Sequence, residues 1–174
     1  MKYFLFTDRI ETFKKPIFGK PVYFFDLISI AIVCEDGRQY SALNMDYFQP
    51  HSYNLSYRKS KNKMAGEIIA FVKNESSYPQ FYSWVANYDW VLLCSIFGGK
   101  EYIPNCFPEY CYNVQQDFDV LQYKSPALQG IMDEKDESIF GSHSVEIAEW
   151  TKRMYLTIEK EKSLQQNPVL SRQP

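Results

Sequence analysis

Apolar positions along the chain fall into two rhythms, short continuous runs and longer spaced ones, and these separate strands from helices. Met1 to Thr7 (MKYFLFT) is an apolar run closed by Asp8, and Phe24 to Val33 (FFDLISIAIV) is a longer, isoleucine-rich one, so both read as central strands. Asp36-Gly37 suits the left-handed conformations of a tight hairpin, which predicts that Gln39 to Met45 returns as an antiparallel third strand. In Lys61 to Val72, Met64, Ile68, Phe71 and Val72 recur at helical spacing and predict a crossover helix. Phe81 to Val85 is aromatic and β-branched and reads as another strand. Trp90, Val91, Leu92, Leu93, Ile96 and Phe97 then give a broadly apolar helix, opening at Asp89 and stopping at Gly98-Gly99. Cys111 to Tyr123 reads as a helix with Val114, Phe118 and Leu121 inward, and Val145 to Lys160 as a long helix ending in charged residues. Between them, Lys124 to Ser142 carries Pro126, Gly130, Gly141 and an acidic run, and reads as loop.

This order predicts an α/β fold, a mixed β-sheet flanked by helices, in one domain spanning residues 1–162. The stretch 163–174, with Pro168 and Pro174 and no apolar period, reads as a flexible tail. At 174 residues and 45% hydrophobic content the chain can bury one substantial core. A net charge of −2 gives no global attraction to nucleic acid, so such a partner needs a local basic patch or bound metal ions. Cys34, Cys94, Cys106 and Cys111 lack zinc or redox spacing and read as reduced core thiols. No charged-then-apolar leader opens the chain and no apolar run approaches the roughly 18 residues of a membrane span, so the expectation is a soluble, cytoplasmic protein without a membrane partner.

Few residues carry candidate chemistry. Asp89, at the mouth of an apolar helix directly after a buried strand, has two readings: an N-cap on the free amides of the first turn, or an acid placed to hold a metal. Asp26, inside an apolar strand, reads as a structural carboxylate paired with backbone or a hydroxyl, and His51 has no acid at metal spacing. The one dense basic run, Tyr57-Arg58-Lys59-Ser60-Lys61-Asn62-Lys63, flanked by Tyr53, offers cations for phosphate and rings for stacking. Tyr57, Arg58, Lys59, Lys61 and Lys63 are therefore nucleic-acid-binding candidates, and they read equally well as a solvated loop. The aromatic surplus, 14 tyrosines and 13 phenylalanines, also suits an oligomer or protein-partner interface.

The segments FDLISIAIVCEDGRQYSAL (Phe25 to Leu43) and WVANYDWVLLCSIFGG (Trp84 to Gly99), with the opening strand, resemble the small stand-alone 3′→5′ exoribonucleases of the DEDDh group over roughly residues 1–156. The resemblance implies a ribonuclease-H-like fold. It also implies four acidic side chains holding paired magnesium or manganese ions, which generate hydroxide and clamp the displaced oxygens, and a histidine as general base. Aligned with that pattern, Asp8 takes the place of the first-strand glutamate, Asp89 matches the third acid and His143 the histidine. Phe6 stands where the first aspartate is expected, and Ala148, or Ile147 in the register shifted by one, where the last is expected. Glu146 and Glu149 are nearby, but on a helix they point roughly 100° or more away from that direction. With Phe6 and Ala148 as replaced ligands, the resemblance implies a degenerate exonuclease, a pseudoenzyme that binds nucleic acid, a nucleotide or a protein partner with hydrolysis weakened or lost. The alternative is an active metal-dependent exoribonuclease trimming single-stranded RNA, with Asp8 and Asp89 on the metal, joined by Glu146 or Glu149, and His143 as base. A homodimer is compatible with either.

Overall fold

The computed structural model describes residues 1–14, 18–47, 57–72, 78–122, 125–138 and 144–166. Its centre is a six-stranded sheet in the order β4-β3-β2-β1-β5-β6, formed by β1 (Lys2–Lys14), β2 (Val22–Cys34), β3 (Gln39–Asn44), β4 (Arg58–Lys59), β5 (Gln80–Ser83) and β6 (Cys111–Asn113). β1, β2 and β3 run antiparallel in succession, whereas β5 joins β1, β6 joins β5 and β4 joins β3 in parallel. Helices α1 (Lys61–Val72), α2 (Ala86–Ile96), α3 (Val114–Leu121), α4 (Pro126–Ser138) and α5 (Ser144–Gln166) flank it. This mixed α/β arrangement is compatible with a ribonuclease-H-like fold. Among the described residues no helix is long and apolar enough to cross a membrane.

Two-residue alternation divides the core between the faces of the sheet. Tyr3 and Leu5 of β1, with Ile30 and Ile32 of β2, pack against Met64, Ile68 and Val72 of α1 and Leu92, Leu93 and Ile96 of α2. Phe4, Ala31 and Val33 face the other way, onto Val114, Phe118, Leu128, Ala148, Trp150, Met154 and Ile158 of α3, α4 and α5. Each large side chain buried in this way contributes about 1.5–3 kcal/mol. Part of the aromatic surplus sits inside, as with the stacked Tyr3–Phe81 and Phe81–Phe107 rings, while Tyr57, Tyr78, Tyr88, Tyr102, Tyr110 and Tyr112 stay exposed. Cys34 and Cys94 are buried thiols as expected; Cys106 is exposed and Cys111 only partly covered.

Several elements differ from the sequence reading. β1 does not stop at Asp8 but runs to Lys14, paired with β2 down to Lys14↔Val22, because Thr7 to Thr12 alternates in strand fashion with Ile10 and Thr12 keeping β-branched character. Asp26, half-buried on that extension, accepts the Thr12 hydroxyl at 3.3 Å, a structural role. Cys111–Asn113 is an edge strand, not the first turn of a helix; Asn113 then caps α3 by accepting the Gln115 amide at 3.1 Å. Residues 126–138, read as loop, form α4: Pro126 occupies the first helical position, where its missing N–H is harmless, and Ser125 accepts the Leu128 amide. α5 continues past Lys160 and Ser163 to Gln166.

The predicted stop after α2 rests on two left-handed glycines. Gly98 (φ 97°) donates to the Ser95 carbonyl and Gly99 (φ 142°) to the Cys94 carbonyl, closing the orphan carbonyls of the last turn. An alanine Cβ at Gly99 would stand 2.9 Å from the Glu101 carboxylate. Gly98→Ala and Gly99→Ala should each destabilise the fold by about 1–2 kcal/mol, roughly 2–4 °C per kcal/mol in thermal midpoint. A melting scan of either variant that overlays the wild type contradicts this.

Candidate functional site

Asp89 is neither a cap nor open to solvent. α2 begins at Ala86, with Val85 at the cap position and no side-chain cap, so Asp89 lies a turn inside the helix and is only 4% exposed. One oxygen accepts the Thr7 backbone N–H at 2.9 Å and the Thr7 hydroxyl; the other accepts the Ser83 hydroxyl. The reason lies in the sheet. β5 pairs with β1 only as far as Phe4↔Tyr82, and beyond that point the Thr7 N–H needs an acceptor that no strand supplies. Asp89 fills the gap and ties α2 to β1 and β5. Burial pushes its carboxyl up from the usual range, against the opposing hydrogen bonds from Ser83 and Thr7 and the nearby charge of Arg9.

Phe6 and Ala148, where the resemblance expects acids, come together on the opposite face. Phe6 follows Phe4 in the alternation and packs, half-buried, on the cluster that contains Ala148, itself 0% exposed on the inner side of α5. Neither side chain carries an oxygen. Asp8, two residues beyond Phe6, stands at an irregularity in the β1–β2 register, where its Oδ1 accepts the Arg9 amide at 2.9 Å. It is paired with Ser29, whose hydroxyl hydrogen-bonds Ser144 at the start of α5 at 2.6 Å. The start of α5 therefore approaches the Asp8 region, while His143, one residue before that helix, lies outside the described residues. Glu146 is exposed, and Glu149 accepts from Gln39 Nε2 at 2.9 Å, towards β3 and two strands away from β1. Among the described residues, no three acidic, histidine or cysteine side chains are grouped to hold a metal ion. Among the described residues that donor set does not fit a paired-cation centre.

Beyond Thr7, Phe6, Thr7, Asp8, Arg9, Glu11 and Phe25 line an open cleft of about 380 Å³. The register step from Asp8↔Ser29 to Arg9↔Leu27 skips Ile28, and so puts Leu27 and Phe25 on the same face as Arg9 and Glu11. The Arg9 guanidinium lies 4.3 Å from the Tyr88 ring centre and 5.5 Å from that of Phe25, and the two rings meet edge-on at 5.1 Å. Sequence reasoning missed Arg9 and Tyr88. The available signal was the alternation after Asp8, which carries the strand onward.

The basic run has another position. Arg58 and Lys59 form β4 at the sheet edge, three strands from β1 and so about 14 Å across the sheet. Lys59 is committed inside the protein: its Nζ bonds Glu67 at 2.7 Å and lies 5.0 Å from the Tyr40 ring, and the Tyr40 hydroxyl donates to the same carboxylate. Arg58 and Lys61 are half-buried, while Tyr57 and Lys63 remain exposed. His51 and Tyr53 lie outside the described residues.

No family profile matches the chain. Two curated proteins, each named a 3′-5′ exoribonuclease and coming from the CDC 1551 / Oshkosh and H37Rv strains of Mycobacterium tuberculosis, are 26% identical to it over 132 residues, covering 67% of this chain and 73% of theirs. The similarity is distant and runs to exoribonucleases.

Proposed function

We propose that this chain is an exoribonuclease-like protein that binds single-stranded RNA or a nucleotide, with hydrolysis weakened or lost. One observation carries the reading: Phe6 and Ala148, at the places where the resemblance expects acids, share one apolar cluster, while Asp89 spends both oxygens on Thr7 and Ser83. Paired hard cations need several oxygen ligands, and Asp8 alone is too few. The distant relatives, named 3′-5′ exoribonucleases, support RNA as the ligand of this reading. Location in the cytoplasm and magnesium-independent binding belong to the same reading.

The test is incubation of the purified chain with 5′-end-labelled single-stranded RNA and manganese, run beside Asp8→Ala. The RNA should shift on a native gel and keep its full length on a denaturing one. Manganese-dependent shortening from the 3′ end that disappears in Asp8→Ala would establish the active-nuclease alternative instead.

A further inference from the structure

The cleft beyond Thr7 contains a cation, Arg9, that is ion-paired to none of its acidic neighbours. Asp8 accepts from the Arg9 backbone, Asp89 is taken up by Thr7 and Ser83, and among the described residues no hydrogen bond or ion pair engages the Arg9 guanidinium. What does hold it is aromatic: Tyr88 and Phe25. Rings that hold a guanidinium in place without using its N–H groups leave its fork of donors ordered and available, which is the state that suits a phosphate. Tyr88 is 40% exposed, so part of its ring is also open beside the cation.

We infer that Arg9, Tyr88 and Asp8 form a nucleotide site that works without a divalent ion, Arg9 holding the phosphate, Tyr88 the base, and the free oxygen of Asp8 accepting from a ribose hydroxyl. The inference rests on the nucleic-acid-binding reading above and gives it a location. The alternation of charge in the cleft matches this ligand, because a nucleotide presents an anionic phosphate next to hydroxyl donors, and the cleft presents one cation next to the carboxylates Asp8 and Glu11. Both carboxylates reach solvent, where their repulsion of the phosphate is screened. The same chemistry belongs to a free nucleoside monophosphate and to the terminal nucleotide of a single strand.

Fluorescence anisotropy of a labelled single-stranded oligoadenylate, in EDTA, tests the site with wild type, Arg9→Ala, Arg9→Lys, Tyr88→Leu and a Lys61→Ala, Lys63→Ala double variant, each checked by thermal melting. Wild type should bind in EDTA, more weakly as salt rises, and Arg9→Ala should lose about tenfold to a hundredfold in affinity. Arg9→Lys should recover part of that loss, and Tyr88→Leu should weaken binding with the cation retained. These two variants decide the matter if Arg9→Ala does not fold. Competition by AMP at comparable affinity assigns the site to free nucleotides; failure to compete while the strand binds assigns it to a chain end. A strand bound equally well by wild type and Arg9→Ala, or lost only in the lysine double variant, overturns the Arg9 assignment and leaves the binding reading standing. No binding of strand or AMP by the wild type overturns both.

Discussion

Replacing Asp89 by alanine should lower the stability of the fold by about 3 kcal/mol, roughly 6–12 °C in thermal midpoint, because it leaves the buried Thr7 N–H and two hydroxyls without their acceptor. A surface carboxylate would give a change within about 0.5 kcal/mol. Asp89→Asn keeps the shape and one acceptor oxygen, and its comparison with wild type across pH separates a structural acid from a cation-binding one. Burial raises the folded-state value of Asp89 above its ordinary 3.8, so the native state retains this proton where the unfolded chain has released it. Its contribution is then fully present below 3.8 and is lost as pH rises through the raised folded value. The stability of wild type relative to Asp89→Asn should fall with rising pH over that window and level off above it. Denaturant titrations in which wild type instead gains on Asp89→Asn as pH rises would mean that the site favours the charged carboxylate, as a cation-binding acid does.

Ala148→Asp should be more damaging, at about 3–5 kcal/mol, since it places an unpaired carboxylate at a 0% exposed position among Trp84, Trp150 and Phe6. The loss should shrink as pH falls and the new carboxyl is protonated. Phe6→Asp starts from a half-buried side chain and should cost less, about 1–3 kcal/mol. If these positions correspond to the acids of the resembled enzymes, manganese should raise the melting temperature of the Phe6→Asp, Ala148→Asp protein and leave each single variant unchanged. An Ala148→Asp chain as stable as wild type at neutral pH would place residue 148 in contact with water and undo the alignment.

Local pattern made some of this legible and hid the rest. Asp36-Gly37 announced a hairpin, and Gly37 takes φ 94° there, with the Asp36 carboxylate, pulled down to about 2 chiefly by the Arg38 amide, fixing the turn. The spacing of Met64, Ile68 and Val72 marked the buried side of α1 for the same reason: one face, one partner. The cap reading of Asp89 fails because its acceptor role depends on Thr7, 82 residues away, and on the point where β5 stops pairing, which no local window contains. β6 was lost to its brevity, three residues being too few to show a period, and α4 to a proline that starts a helix as readily as it breaks one. Arg9 stayed hidden because Asp8 looked like an end. The strand continues through it by way of a register irregularity that polarity alone does not reveal.

We propose that this sheet has a nuclease-like frame without the oxygens to hold paired cations. Calorimetric titration of manganese into the native chain tests it most directly. No saturable uptake is expected, in wild type and Asp8→Ala alike; stoichiometric binding in the wild type that Asp8→Ala abolishes would contradict this.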